Sequence, residues 1–373
     1  MSRVLALPER SSRTAHSAVA VREVLRQPPA DWDRLTVEPE GGHVLQSQAW
    51  AEHRRGQGWP PRYVRFSDDR CALVLMRRQP PLPGFLAYAP RGPIAAGDPV
   101  EQVAARAVAL AKWLRREGAT LLVVDPQLDA SPRYRSLLTA AGYRETEEIQ
   151  PSRHRLVLPL PPGTSKERLL GGLSKQTRQR IRAAERGGTV VKEDPGGTEL
   201  EAFGRIIDAV AERKGFEFAA ERGFVDWWRR VLAARQARFF VARSAGGERG
   251  SELLGGLLVY LQAGHYATAF SADRADTRRG HPGTMHALRW RVITEALASG
   301  APAVDLGGVD IVGHRTQPAE GDPTWGLFQH KASFGARWVP AEAAQRVLVR
   351  PWFDLAGVAA RAARRVLGRR GGS

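Results

Sequence analysis

The sequence predicts an α/β protein in which one domain is used twice, and three observations carry that prediction. A helical run that stops at glycine and passes into a short apolar strand ending at aspartate occurs in VEQVAARAVALAKWLRREGATLLVVDP (residues 100–126). It occurs again in PGTMHALRWRVITEALASGAPAVDLGG (residues 282–308). Strand-rich segments precede both copies, so strand, strand, helix, strand recurs. The chain's 373 residues suffice for about two domains.

Each element has a local reason. Residues 1–18, rich in Ser, Arg and Ala, read as a disordered tail. In HVLQSQAWAEHRRGQGW, Gln46, Trp50 and Arg54 fall on roughly one helical face, with Trp50 as a core anchor. RCALVLMRR and GFLAYAPRG are apolar strands. The first repeat helix has apolar residues at i, i+3, i+4 and i+7; Gly118 suits its end and Asp125 closes the strand. RHRLVLPLPPG reads as a strand closing the first domain and then a Pro-rich linker.

Two short helices follow in KERLLGGLSKQTRQRIRAAERGG, with Ser174 capping the second and Gly187 ending it. Ile181 and Ala184 turn inward, and Arg178, Arg182 and Arg186 share one face. That face is either simply solvated or a phosphate surface. TELEAFGRIIDAVAERKG and GFVDWWRRVLAARQ give two more helices. Between them Arg222 lies among Phe216, Phe218, Phe224 and Trp227, either as an anion anchor or with its stem packed on rings. ARFFVARS and a hairpin, ELLGGLLVY and HYATAFSAD around LQAG, lead into the second repeat, which stops at Gly300 and Asp305. FQHKASFG places Lys331 between Phe328 and Phe334, ahead of Gly335; an amphipathic, arginine-rich tail helix closes the chain.

Composition narrows the function. Lys+Arg total 56 against 39 Asp+Glu, a net +17 that favours polyanions unless it reflects arginine-rich composition alone. Only six of the 56 are lysines, so Lys331 is not the generic cation of this chain. Cys71 inside CALVLM forms no intrachain disulfide and reads as a small core residue, in keeping with a reducing cytoplasm. VLAL near the start is too short for a secretory leader, and no apolar run approaches the ~20 residues of a membrane span. His53, His265, His281, His286, His314 and His330 lack zinc-ligand spacing, and no phosphate-binding P-loop motif occurs, so no metal site is expected.

QSQAW, SKQTRQRIRAAERGG, HYATAFS, HPGTMHALRWRVITEALASGAPAVDLGGVD and GLFQHKASFGA occur in that order over about residues 46–351. Together they resemble the Fem family of non-ribosomal peptidoglycan aminoacyltransferases, the FemA, FemB and FemX group. The resemblance implies two tandem GNAT-like domains, residues 19–160 completed by 340–373, and residues 161–339. It implies a cytoplasmic enzyme using aminoacyl-tRNA as co-substrate and no other cofactor. The acceptor would be the side-chain amine of a peptidoglycan precursor, UDP-linked or carried by lipid II at the inner membrane face. Carried over by position, Lys331 takes part in catalysis and in holding the aminoacyl-tRNA end. Arg54 binds acceptor phosphate, Arg222 is its partner with spacing off by a residue or two, and Tyr266 lies near the acceptor peptide. Arg178 and Arg182 then steer tRNA, and the tail arginines Arg361, Arg364, Arg365, Arg369 and Arg370 meet anionic lipid.

An ordinary lysine, with pKa about 10.4, is protonated at neutral pH, so Lys331 is expected to act as a cation and not as a base. The chain lacks the family's coiled-coil arm, which places it with the short form. RRGHPGTM lacks the spacing of the acetyl-CoA pyrophosphate loop. The alternatives are an acyl-CoA-dependent N-acyltransferase and a non-enzymatic basic RNA-binding protein.

Overall fold

A computed structural model describes residues 19–78, 80, 84–150, 152–214, 223–246 and 251–350. Arg222, the tail at 1–18 and the arginines after 350 lie outside the described residues. Along the first half run β1 (Val21–Leu25), α1 (Trp32–Thr36), α2 (Gln48–Gly56), β2 (Pro61–Phe66), β3 (Cys71–Arg78) and β4 (Phe85–Ala89). The first repeat unit is α3 (Val100–Glu117) and β5 (Ala119–Val124), followed by α4 (Pro132–Ala140) and β6 (Arg144–Glu145). Then come β7 (Arg155–Pro159), α5 (Lys166–Gly172), α6 (Lys175–Arg186), β8 (Thr189–Glu193), α7 (Leu200–Lys214) and α8 (Phe224–Ala233). They are followed by β9 (Ala237–Ser244), β10 (Leu253–Gln262) and β11 (His265–Asp273). The second unit is α9 (Thr284–Ala298) and β12 (Ala303–Asp305), before α10 (Trp325–Ala332), β13 (Arg337–Val339) and β14 (Gln345–Leu348).

Among these residues the strands form two seven-stranded mixed sheets, ordered β1-β2-β3-β4-β5-β14-β6 and β13-β7-β12-β11-β10-β9-β8. In each, the repeat's strand lies parallel to the strand before its helix, β4 beside β5 and β11 beside β12. That is the crossover a strand–helix–strand unit requires. β14 inserts between β5 and β6, so the chain returns to the first sheet. The strand in residues 153–163, expected to close the first domain, instead sits inside the second sheet between β13 and β12. Its alternating Leu156, Leu158 and Leu160 join the second sheet's core.

Glycines set two of the joints. Gly118 ends α3 at φ 85°, as the sequence suggests. Gly283 opens α9 at φ 85°, and a Cβ there would lie 2.1 Å from the Arg180 carbonyl oxygen, so α6 crosses α9 at a point only glycine fits. Gly187 ends α6 as expected, keeping φ −77° as its C-cap, and Gly188 takes the left-handed turn at φ 70°. The hairpin turns at Ala263 and Gly264, both with positive φ, so Leu261 and Gln262 are strand residues.

One core lies under α3 and another under α9. A third, with Trp32, Trp50 and Tyr63 from the first half and Phe203, Trp227 and Phe239 from the second, joins the two. Trp50 and Trp227 meet edge to face at 4.8 Å. A charged seam joins the halves as well. Arg315 Nη1 reaches Asp310 (2.9 Å), Nε reaches Glu148 (3.1 Å) and Nη2 reaches Glu147 (3.0 Å). Arg153 Nε donates to Glu148 at 2.6 Å.

Candidate functional site

β11 and β12 pair only at Tyr266–Val304 and Ala267–Asp305, and no pairing continues beyond. The end of β12 is held by its own aspartate: Asp305 Oδ1 accepts from Gly307 N at 2.7 Å. Gly307 turns at φ 79°, and a Cβ on it would lie 3.0 Å from the Thr268 carbonyl oxygen and 3.3 Å from Lys331 Nζ. A Cβ on Gly308 would fall 2.4 Å from Ser152 Cβ. The backbone is thus pressed against its neighbours on both sides of the turn.

Lys331 reaches this turn from α10. It is 5% exposed, and Nζ donates to the Gly308 carbonyl at 2.8 Å. Burial pushes its amine well below the usual lysine range, and the Arg289 guanidinium pushes the same way; Asp305 and Asp310 oppose them. The expectation of an ordinary, fully protonated lysine is therefore corrected: desolvation favours the neutral amine. Phe334 is buried beside it at 2% exposure, and Gly335, at φ 88°, makes the turn after α10.

Arg289 comes from α9 and is 1% exposed. Its Nε donates to His330 Nε2 at 3.0 Å and its Nη2 to Ser271 Oγ at 3.2 Å. His330 is held at about 2 and His286, whose ring meets it at 4.4 Å, at about 4, both chiefly by burial. Sequence reasoning missed Arg289. A signal existed: it interrupts an apolar stripe of Met285, Val292, Ile293 and Ala296.

The first sheet carries the equivalent aspartate, Asp125, just after β5. Tyr88, near the end of β4, donates its hydroxyl to Asp125 at 2.8 Å, and Arg91 N donates to the other carboxyl oxygen at 2.6 Å. Burial raises the Asp125 carboxyl to about 6. Arg91 Nη2 donates to the Ser152 carbonyl at 2.8 Å, and Ser152 abuts Gly308. A continuous path, Asp125–Arg91–Ser152–Gly308–Lys331, therefore links the end of β5 to the turn after β12. Asp125 was noted only as the end of a repeat strand; its equivalence to Asp305 was the available signal.

The remaining sequence-predicted residues are dispersed. Arg54 lies on α2, whose N-terminus is capped by Ser47, 8% exposed and with its guanidinium 5.3 Å from the centres of both Trp50 and Trp59. Its Nη1 donates to Gln57 at 2.7 Å. Gln46 precedes α2 and does not share its face. Its amide donates to the Leu73 and Pro90 carbonyls and its carbonyl accepts from Leu73 N, which pins the loop to β3. Tyr266 sits at the root of the β11–β12 pair, and its hydroxyl accepts from Arg238 Nη1 at 2.9 Å. Arg238 is itself tied to Glu193 and Glu295, so the Tyr266 hydroxyl is engaged inside the fold.

On α6, Ser174 caps the helix as expected, and Ile181 and Ala184 are buried. Arg178 donates to the Gly171 and Leu173 carbonyls, so it closes α5, while Arg182 is exposed. Thr177 Oγ1 donates to the Ser333 carbonyl at 3.4 Å, which ties α6 to the end of α10.

Residues 29–136 match the FemAB family, in keeping with the ordered motifs. Residues 172–322 match the acetyltransferase (GNAT) domain. The UDP-N-acetylmuramoylpentapeptide-lysine N(6)-alanyltransferase of Weissella viridescens is 26% identical over 288 residues, 72% of this chain and 80% of that protein. The lipid II:glycine glycyltransferase of Staphylococcus haemolyticus is 25% identical over 189 residues, 47% of this chain and 44% of that protein. The crystal structure of FemX superimposes with a TM-score of 0.74 at 18% identity, covering 90% of this chain and 99% of that one. This likeness speaks to the fold. Among the described residues no helix is long and apolar enough to cross a membrane.

Proposed function

We propose that this protein belongs with the FemAB aminoacyltransferases and moves an amino acid from aminoacyl-tRNA to the side-chain amine of a peptidoglycan precursor. The observation that carries the reading is the Lys331 amine, buried against the Gly307–Gly308 turn and linked through Ser152 and Arg91 to Asp125 at the end of β5. The relatives' named reactions, alanyl and glycyl transfer onto such precursors, supply the reaction class.

In the step we envisage, the acceptor nitrogen attacks the ester carbonyl carbon and the carbonyl electron pair moves to oxygen. Lys331, as an ammonium, faces that oxyanion. The C–O bond to the terminal ribose then breaks, and the proton lost by the nitrogen ends on the ribose oxygen. The ester is already activated, so this step needs no further energy source. Phe334 keeps water from the amine, which strengthens its field. The resting amine is pressed toward neutrality, and the negative charge of the incoming substrate restores its proton.

In this reading Arg54, and Arg222 outside the described residues, hold acceptor phosphate. Arg182 on the exposed face of α6 steers tRNA, a contact that weakens steeply with salt. Membrane contact by the arginine-rich tail would bring the enzyme to a lipid-linked acceptor.

The test is transfer by purified protein from charged tRNA to a UDP-linked precursor and to lipid II, read by mass spectrometry. Muropeptides of a deletion strain serve as the cellular counterpart. The expected result is one added residue, lost in Lys331→Met. Unchanged muropeptides, or acylation from labelled acetyl-CoA in place of charged tRNA, would overturn the reading.

A further inference from the structure

Arg289 is a full guanidinium inside the core of the second sheet. Among the described residues no carboxylate lies within ion-pairing distance of it, and its buried Nη1 has no hydrogen-bond partner in the protein. Burial lowers it only to about 10, so it keeps its charge at neutral pH. A buried, uncompensated cation is costly, and an apolar residue would serve packing better at this place on α9. Its two hydrogen-bonded groups point to a purpose. Nε–H donates to His330 Nε2, which leaves the His330 proton on Nδ1, and Nη2 donates to Ser271 of β11. Lys331 is the next residue of α10.

We propose that Arg289 is a positioning residue for the Lys331 site: it locks His330, and with it the turn of α10 that carries Lys331, and adds a fixed positive field where a substrate oxyanion is held. It acts through the protein and touches no reacting atom. The inference rests on Lys331 acting in the transfer proposed above. The groups that face Lys331 are Arg289 from α9, Asp305 at the end of β12, Asp310 from the following loop and His330 on its own helix; His286 faces His330. Of these, Arg289 lowers the Lys331 amine while the two aspartates raise it. Removing the guanidinium leaves burial as the one influence holding the amine down against the two aspartates, so the Lys331 midpoint is expected to rise.

The chain's six lysines allow a direct measurement. Lysine 13Cε labelling gives six signals, and that of Lys331 is the one lost in Lys331→Met. In the wild type Lys331 is expected to titrate below the other five. Arg289→Gln is expected to raise its midpoint by about one pH unit or more, and Arg289→Lys, which keeps the charge, to move it by less than half of that. In the transfer assay Arg289→Gln is expected to lower kcat about tenfold or more with KM within about twofold, with partial recovery in Arg289→Lys.

A midpoint unmoved in Arg289→Gln would overturn the proposal. So would a wild-type Lys331 that titrates with the other lysines, a result that needs no variant of Arg289 to fold. The NMR arm needs no substrate. If the wild type transfers nothing, the aminoacyltransferase reading fails, while the titration still decides the role of Arg289.

Discussion

Replacing Lys331 with methionine separates function from stability. Methionine keeps the length and most of the volume of the lysine stem but removes the amine. Lys331 is 5% exposed, with one hydrogen bond, to the Gly308 carbonyl. Exchanging a buried charged group for an apolar one of similar volume is neutral or stabilising by about 1–4 kcal/mol. The carbonyl left without its donor costs about 1 kcal/mol. The variant therefore falls between about 1 kcal/mol less and about 3 kcal/mol more stable than the wild type, a Tm change between about −2 and +6 °C at roughly 2 °C per kcal/mol. Activity moves the other way: losing one oxyanion donor costs about 2.7–4 kcal/mol of barrier, or about 10²–10³ in kcat.

The pH dependence has a definite sign. The folded amine titrates below the unfolded one, so the unfolded chain binds the proton more tightly and wild-type stability rises with pH toward about 10.4. Lys331→Met loses that rise. Thermal unfolding from pH 7 to 10, beside steady-state transfer, measures both effects. A variant that transfers normally and is destabilised by more than about 2 kcal/mol would refute the reasoning.

Arg315→Ala leaves the buried Glu148 and Asp310 carboxylates without their shared cation and is expected to cost about 3–5 kcal/mol in urea unfolding. Tyr266→Phe removes one acceptor from Arg238, which keeps Glu193 and Glu295; the expected loss is about 1 kcal/mol of stability with kcat within about twofold. His286 and His330 are held neutral at about 4 and about 2, so their stabilisation is complete above the unfolded value near 6.5 and is lost as pH falls below it. Asp125, raised to about 6, works in the opposite sense, so the urea midpoint is expected to drop from pH 7 to pH 4.5 by less than the histidines alone would give. Lys331→Arg, conservative in charge, is expected to be both inactive and less stable than the wild type in the same two assays.

The repeat was legible because each copy encodes its own helix, stop and strand within 27 residues, and such local patterns survive folding. Ser174 as a cap and Gly118 as a helix end were legible for the same reason. The sheet that takes residues 155–159 was not, since β7 pairs with β12 and β13, more than 140 residues away along the chain. The state of Lys331 was hidden likewise. Its aromatic neighbours are adjacent in sequence, but Arg289 from α9, and Asp305 and Gly308 from the end of β12, which press on it or receive it, arrive from two other places in the chain. The contact of Arg178 with the end of α5 was hidden too, because a four-residue arginine spacing does not reveal that the preceding helix ends within reach of the first.

A chain that uses arginine for most of its positive charge places lysine at position 331, and the geometry supplies a reason. The turn there leaves Nζ about as close to the Gly307 Cα substituent position as a van der Waals contact allows, at 3.3 Å, and offers one carbonyl acceptor. A guanidinium brings five N–H donors in a rigid plane and cannot shed its proton at any accessible pH. Beside the fixed charge of Arg289, it would be a second permanent cation in a desolvated site. An amine has a way out that arginine lacks: burial presses it toward neutrality, and it takes up a proton when negative charge arrives. Fixed charge behind and switchable charge in front give a site that is tolerable when unliganded and strongly positive when a substrate oxyanion is present.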